Sequence, residues 1–167
     1  IVRAIISAHP MASIDLTLII PARPVQNHIH VPLEEAGQLL RDIAAYDGNV
    51  LHRIALQLIA LTFVRNAELR GARWADFDLK NKLWTVPAAV YDDQGQKIYG
   101  MKKSTIHYVP LSRQAIALLK ELHAISGGGV HLFPSNVSKS GVINEASLVG
   151  ALKRMGYKDK QDVHGFR

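Results

Sequence analysis

An apolar run at residues 50–63 constrains the fold of this chain more than any other segment. Its apolar residues are dense, and several of them recur at the spacing of one helix face. The recurring positions are Leu51, Ile54, Leu58, Leu61 and Thr62. A helix that is apolar on most of its surface is normally buried. We therefore predict a central core helix from about Val50 to Phe63, with the recurring side chains facing inward.

Other helices are predicted on both sides of this central one. Apolar residues at helical spacing begin at Leu33 and include Leu40, and Gly48 closes that segment. A short helix is predicted near 67–71. Two further helices begin at residues whose side chains are good N-caps, Ser112 and Asn144, and extend to about 125 and 155.

Strand patterns lie between these helices. The segment Asp76-Phe77-Asp78 is typical of a turn, and the alternating apolar residues at 83–87 and 106–110 predict strands. Residues 88–101 are predicted to be a loop containing part of another strand. The chain therefore combines a majority of helices with a few short strands.

Residues 1–32 differ from the remainder in having several prolines and little helical periodicity. Proline fixes its own φ and restricts the residue before it, so Pro21 to Pro32 is predicted to be an extended linker. We interpret 1–32 as the end of a preceding domain plus a linker, and 33–167 as one folded unit.

The charge balance favours an anionic partner. Lys and Arg number 20 against 14 Asp and Glu, a net charge of +6, which suits nucleic acid but also a mildly basic soluble domain. No cysteine is present, so disulfides and thiolate metal sites are excluded. His28-Ile29-His30 lacks a third ligand at supporting spacing, so we expect no metal. The run 14–20 is too short to span a membrane.

Two pairs of polar residues share the same spacing. Arg65 and Glu68 are separated by three positions directly after the predicted core helix, and so are His164 and Arg167. That spacing places both members of a pair on one helix face, where a guanidinium offers bidentate hydrogen bonds to phosphate. Alone, Arg65 and Glu68 are compatible with an exposed i,i+3 surface pair worth about 0.2–0.5 kcal/mol. His164 and Arg167 alone are compatible with a helix-start histidine beside a surface arginine.

Five stretches of the chain, in this order, resemble the catalytic domain of the tyrosine recombinases, the phage-type integrases, in the branch carried by prophages and genomic islands. The stretches are TFVRNAELRGARWADFDL, KKSTIHYVPLS, HLFPS, ALKRMGY and HGFR. The resemblance covers 33–167 and implies an α+β, mainly α-helical fold with a small three-stranded antiparallel sheet. It makes 33–167 a partial catalytic domain, and 1–32 the tail of a core-binding domain with its linker.

The resemblance also implies roles for individual residues. Arg65 and Arg167 are expected to bind the scissile phosphate, Glu68 to support the site, and His164 to contact the phosphate or accept a proton. Lys102 is the expected general acid, with Lys103 the alternative. Phosphate contacts with DNA are expected from four basic residues, Arg70, Arg73, Lys97 and Lys103. The chemistry requires neither a metal nor another cofactor.

The implied activity is site-specific recombination that integrates or excises a mobile element. The expected partner is double-stranded DNA at attachment sites, bound by a homo-tetramer of the full protein. The protein is expected to be cytoplasmic and encoded by a bacterium or a phage, without membrane association. The tyrosine nucleophile is expected outside this chain, because neither Tyr108 nor Tyr157 is at the family position, so the chain alone should be inactive.

Three alternatives remain open at this point. A type IB topoisomerase-like enzyme would use the same chemistry on one duplex. A relative whose catalytic residues have decayed would bind DNA as a regulator. A helical protein-interaction domain with incidental charges would show no steep fall of DNA binding with salt.

Overall fold

Helices form most of the regular structure in the part of the chain that the computed structural model describes, residues 27–95, 97–101 and 105–167, with backbone alone at 97–99. The α-helices are α1 Leu33–Ala44, α2 Val50–Thr62, α3 Asn66–Arg70, α4 Arg113–Ser126 and α5 Glu145–Arg154. Short 3-10 helices occupy Trp74–Asp76 and His164–Phe166. Most of the segment 1–32 lies outside the described residues, so the division at that point stays a prediction.

The predicted central helix is confirmed as α2. It packs against α1, α3, α4 and α5, and Ile54 and Leu58 on its inner face are buried. The side chain of Asn49 caps its start by accepting a hydrogen bond from the Leu51 N–H at 2.8 Å. The inward placement predicted for Leu61 is wrong, since Leu61 is exposed. Leu61 projects in nearly the same direction as the buried Ile54, seven residues earlier, but lies one residue before the end of α2.

Helix α1 buries one side and leaves two leucines outside. Leu39 and Ile43 are buried, whereas Leu33 and Leu40 are exposed. Both exposed leucines line a cleft of about 410 Å³ together with Phe63 at the end of α2. The cleft is mainly apolar and lies beside the residues that follow α2.

The caps predicted for α4 and α5 are confirmed. Ser112 accepts a hydrogen bond from the Ala115 N–H at 3.1 Å, and Asn144 accepts one from the Ser147 N–H at 2.8 Å. Each side chain thereby satisfies one of the free N–H groups at a helix start. Across the described residues, no helix combines the length and apolar character needed to cross a membrane.

A small three-stranded antiparallel sheet accompanies the helices, and the predicted fold class is confirmed. Its order is β1 Phe77–Asp78, β2 Leu83–Val86 and β5 His107–Pro110. The strand within 88–101 does not join it, because Val90–Tyr91 (β3) and Lys97–Tyr99 (β4) pair only with each other.

Strand β1 comes from the segment Asp76-Phe77-Asp78, which is predicted above to be a turn. Phe77 extends into β1 and stacks on Trp84 of β2 with 4.9 Å between ring centroids. The turn itself follows, where Asp78 accepts hydrogen bonds from the backbone and side-chain amides of Asn81. Burial of the aromatic pair therefore outweighs the turn preference of the two aspartates.

A tyrosine–carboxylate hydrogen bond ties α1 to the end of α5 and predicts an alkaline loss of stability. Tyr157 donates to Asp42 at 2.6 Å. Burial and this bond raise the Tyr157 pKa from 10.0 to about 12, while hydrogen bonds from Tyr157 and Gln38 lower the Asp42 pKa. The raised pKa means that the tyrosine's contribution is complete below pH 10.0 and is lost as pH approaches about 12.

We expect Tyr157→Phe to lower the melting temperature at neutral pH, and this deficit to shrink between pH 10.0 and about 12. The measurement is thermal unfolding by circular dichroism across that range. Tyr108→Phe is the control, because Tyr108 is exposed on β5. A deficit for Tyr157→Phe that stays constant up to pH 12 would contradict the assignment.

Candidate active site

Arg65 is presented at the start of α3 by two changes of backbone direction. Phe63 ends α2 in the left-handed conformation, with φ of 52°. Val64 is then buried, and Arg65 is extended with φ −68° and ψ 142° as the N-cap of α3. The side chain of Arg65 remains 34% exposed. The guanidinium is therefore anchored at its base and open to solvent at its tip.

Glu68 accepts two hydrogen bonds from Arg65. One carboxylate oxygen accepts from Arg65 Nη1 at 2.9 Å, and the other accepts from the Arg65 backbone N–H at 3.1 Å. The Glu68 side chain is only 2% exposed. This burial distinguishes the pair from an exposed i,i+3 surface pair, since a buried carboxylate requires its charged partner.

Arg70 and Arg73 make internal contacts. Arg70 donates from Nε to Asn66 at 3.1 Å and from Nη1 to the carbonyl of Ile143 at 3.1 Å. The Arg73 backbone N–H donates to Asp76 at 3.1 Å, and burial is the main cause that raises the Asp76 pKa. The Arg70 side chain thus ties α3 to the loop before α5, and the DNA contacts predicted for both arginines are not tested by this geometry.

His164 begins the 3-10 helix that ends before Arg167. Its backbone N–H donates to the Asp162 side chain at 3.0 Å, and the Arg167 N–H donates to the His164 carbonyl at 3.2 Å. Residues three apart are eclipsed in a 3-10 helix, so the imidazole and the guanidinium start from the same side of this turn. The imidazole Nε2 lies 3.2 Å from Glu145 Oε1.

Neighbouring residues link the segments that carry the two pairs. Arg70 of α3 binds the carbonyl of Ile143, and Glu145, two residues later, lies against His164. On the other side, the apolar cleft is lined both by Phe63, just before Arg65, and by Phe166, just before Arg167. Distant parts of the sequence therefore flank the same loop and the same cleft.

The structure describes little of the lysines predicted to take part in the site. Lys97 begins β4, where only the backbone is described. Lys102 and Lys103 lie outside the described residues, so their roles stay predictions. No group of three histidine, aspartate or glutamate residues that could hold a metal ion occurs in the described ranges.

Three residues around His164 were not predicted from the sequence. Asp162 carries a local signal, because an aspartate two residues before a turn commonly accepts its N–H. Glu145 was visible only as the first residue of a helix. His28 stacks on His164 with 4.8 Å between ring centroids, a contact between distant segments that has no local sequence signal.

Comparison with known proteins identifies the family of this chain. The model of the phage integrase family matches residues 31–167. The integrase of Enterobacteria phage P4 is 44% identical over 141 residues, which cover 82% of this chain and 32% of that protein. Prophage integrase IntZ of Escherichia coli K12 is 30% identical over 167 residues, 100% of this chain and 38% of that protein. The chain thus spans about a third of the length of these relatives.

Solved structures share the fold at lower identity. The Tn1549 transposon integrase superposes with a TM-score of 0.66 at 12% identity, covering 92% of this chain and 55% of that one. XerA recombinase gives 0.61 at 18% identity, covering 92% and 51%. With the family model matching most of its length, this chain belongs to the phage integrase family.

Proposed function

We propose that the protein containing this chain is a site-specific recombinase that integrates or excises a mobile element by cleaving and rejoining double-stranded DNA. In this proposal, residues 33–167 supply the part of the active site that binds and activates the phosphate. The observation that carries the proposal is the Arg65 guanidinium, 34% exposed and hydrogen-bonded to the buried Glu68. A buried carboxylate beneath an open guanidinium preorganises it for an anion.

The proposed reaction is a transesterification. A tyrosine oxygen attacks the phosphorus, a 3′-phosphotyrosyl bond forms, and the bond to the 5′ oxygen breaks. Arg65 and Arg167 bind the non-bridging oxygens and stabilise the charge that develops in the transition state. His164 accepts the tyrosine proton or donates a hydrogen bond to the phosphate, and Lys102, or alternatively Lys103, protonates the departing 5′ oxygen. No metal or other cofactor is required.

Tyr157 is poorly suited to be the nucleophile. Its hydroxyl donates to Asp42 at 2.6 Å, and its pKa is raised to about 12. A raised pKa reduces the fraction of phenolate at working pH, and the hydrogen bond to Asp42 already engages the hydroxyl within the fold. We propose that the nucleophile is another tyrosine of the full-length protein.

Relatives with the same fold support DNA as the partner. The Tn1549 transposon integrase was solved in complex with circular intermediate DNA. XerH recombinase, with a TM-score of 0.60, was solved bound to its difH substrate. We propose double-stranded attachment-site DNA as the partner here, a homo-tetramer as the active assembly and the cytoplasm as its location. The match from residue 31 supports a catalytic domain beginning near 33, after a linker.

The test is a covalent trapping assay on the full-length protein, using an attachment-site duplex that is nicked beside the cleavage position. The nick lets the short 5′-hydroxyl fragment diffuse away, so the phosphotyrosyl adduct accumulates. We expect a protein–DNA band that resists denaturation. Specific binding without such a band would indicate a DNA-binding regulator instead. On a supercoiled plasmid that carries the site, relaxation without joining of two duplexes would indicate topoisomerase chemistry.

Lys97 is proposed to contact the DNA backbone, and its replacement tests this separately from catalysis. We expect Lys97→Ala to weaken duplex binding and to reduce the slope of log K against log salt by about 1, since one phosphate contact is lost. The adduct should still form at saturating DNA. Lys120→Ala is the matched control, because Lys120 is an exposed lysine of α4. Equal slopes for the two variants would remove Lys97 from the interface.

A further inference from the structure

The segment before α1 is tied directly to the segment that carries His164. The Val31 N–H donates to the Gln161 side chain at 2.9 Å, and the Asp162 N–H donates to the Ile29 carbonyl at 2.9 Å. The backbone of Gly165 also lies against residue 29, because a Cβ added at Gly165 would be only 2.3 Å from the Ile29 carbonyl oxygen. Residues 28–31 are therefore held by hydrogen bonds beside the segment that contains His164 and Arg167.

In this position, the His28 ring packs on one face of the His164 ring. The two imidazoles are stacked, with 4.8 Å between centroids and an interplanar angle of 27°. Asp162 fixes both partners, since one of its oxygens accepts from the His164 backbone N–H at 3.0 Å and the other lies 3.4 Å from His28 Nδ1. Glu145 then holds the edge of His164 at Nε2.

We propose that His28 is a positioning residue for His164, stacking on its imidazole so that the ring keeps the plane required at the phosphate. This inference rests on the proposed function and assigns a control of that same site to the segment preceding α1. His28 itself does not touch the reacting atoms. Its effect is transmitted through the stacked pair.

The contact meets two requirements of a positioning residue. The χ2 torsion of histidine is broad, so a ring held by one edge contact can still tilt, and a face contact removes that freedom. Each imidazole also has its own carboxylate, Asp162 for His28 and Glu145 for His164. The two carboxylates belong to different segments, so the stacked pair is held at the edge of each ring as well as face to face.

Three variants of the full-length protein separate stacking from other effects. His28→Ala removes the ring, and we expect a loss on the order of tenfold in the rate of adduct formation at saturating DNA, with unchanged duplex affinity. His28→Phe restores a stacking ring without the Asp162 contact, and we expect it to recover most of that rate. His30→Ala is the control in the same segment, because the His30 ring contacts its neighbour's carbonyl instead.

A spectroscopic measurement follows the contact itself. In nitrogen-15 histidine spectra, assigned with His164→Gln, the His164 ring protons should shift in His28→Ala and return towards the ring-shifted position in His28→Phe. Gly165→Ala gives a second route to the same loss, since its methyl group would displace the Ile29 carbonyl. It should shift the same His164 signals while His28 is intact.

The outcomes separate this inference from the proposed function. If wild type forms the adduct and His28→Ala forms it at the same rate, the positioning role is wrong and the recombinase function stands. Equal losses in the alanine and phenylalanine variants, with unchanged His164 signals, would also overturn it. If wild type forms no adduct, both fall together.

Discussion

We expect Arg65→Ala to abolish the covalent DNA adduct in the trapping assay, with a loss of at least the order of 10²–10³ in cleavage rate. The reason is that Arg65 is the guanidinium that the fold fixes in place before DNA arrives, through Glu68 at 2.9 Å and 3.1 Å. Removing a preorganised donor removes transition-state stabilisation, while the remaining phosphate contacts keep most of the duplex affinity. Adduct formation and duplex affinity are therefore measured on the same variant.

Arg53→Ala is the matched control for this result. Arg53 also belongs to an acidic pair, with Glu121 at 2.7 Å, and is 31% exposed, similar to Arg65. It lies on α2 and pairs with α4, outside the proposed site. We expect it to form the adduct at the wild-type rate. Full cleavage by Arg65→Ala, or an equal loss in Arg53→Ala, would show that Arg65 has no special role.

Glu68→Ala should affect both stability and cleavage, because Glu68 supports the backbone as well as the guanidinium. It leaves the Arg65 N–H at the start of α3 without its acceptor, which costs about 1–3 kcal/mol for a buried donor. It also frees the Arg65 side chain, so the adduct should be lost almost as completely as in Arg65→Ala. Urea unfolding and the trapping assay measure the two effects.

Glu68→Gln separates these contributions. The amide oxygen can still accept from the Arg65 N–H, so we expect most of the stability to return, while the charge that orients the guanidinium is gone and cleavage stays low. Glu121→Ala is the control for loss of an acidic partner at an exposed arginine. Wild-type cleavage in Glu68→Gln would indicate that the charge of Glu68 is not needed.

The sequence predicted the elements that depend on local pattern. The apolar density of 50–63 identified the central helix, and Ser112 and Asn144 identified two helix starts, since a capping side chain acts within three residues of its own position. The same reasoning failed at Leu61, because helical spacing gives the direction of a side chain but not where the covering helices end. It also failed at Phe77, whose strand depends on stacking with Trp84 across the sheet.

In the site, too, the features set by local sequence were predicted and those set by packing were not. Arg65 with Glu68, and His164 with Arg167, were found because each pair is three residues apart in the sequence. The burial of Glu68 could not be predicted from that spacing, which is equally typical of a surface pair. His28 and Glu145 reach His164 only through the packing of 28–31 and α5 against 161–166, and no periodicity in the chain records such a contact.

The left-handed Phe63 places a constraint on how this region folds. An aromatic residue has no local preference for φ of 52°, which costs of order 1–3 kcal/mol and persists only where the surroundings enforce it. The enforcing contacts here are the burial of Val64 and Leu69 against the core on either side of Arg65. An isolated peptide containing α2 would not turn at this point. We therefore expect the turn that presents Arg65 to form only together with the core around α2 and not to nucleate it.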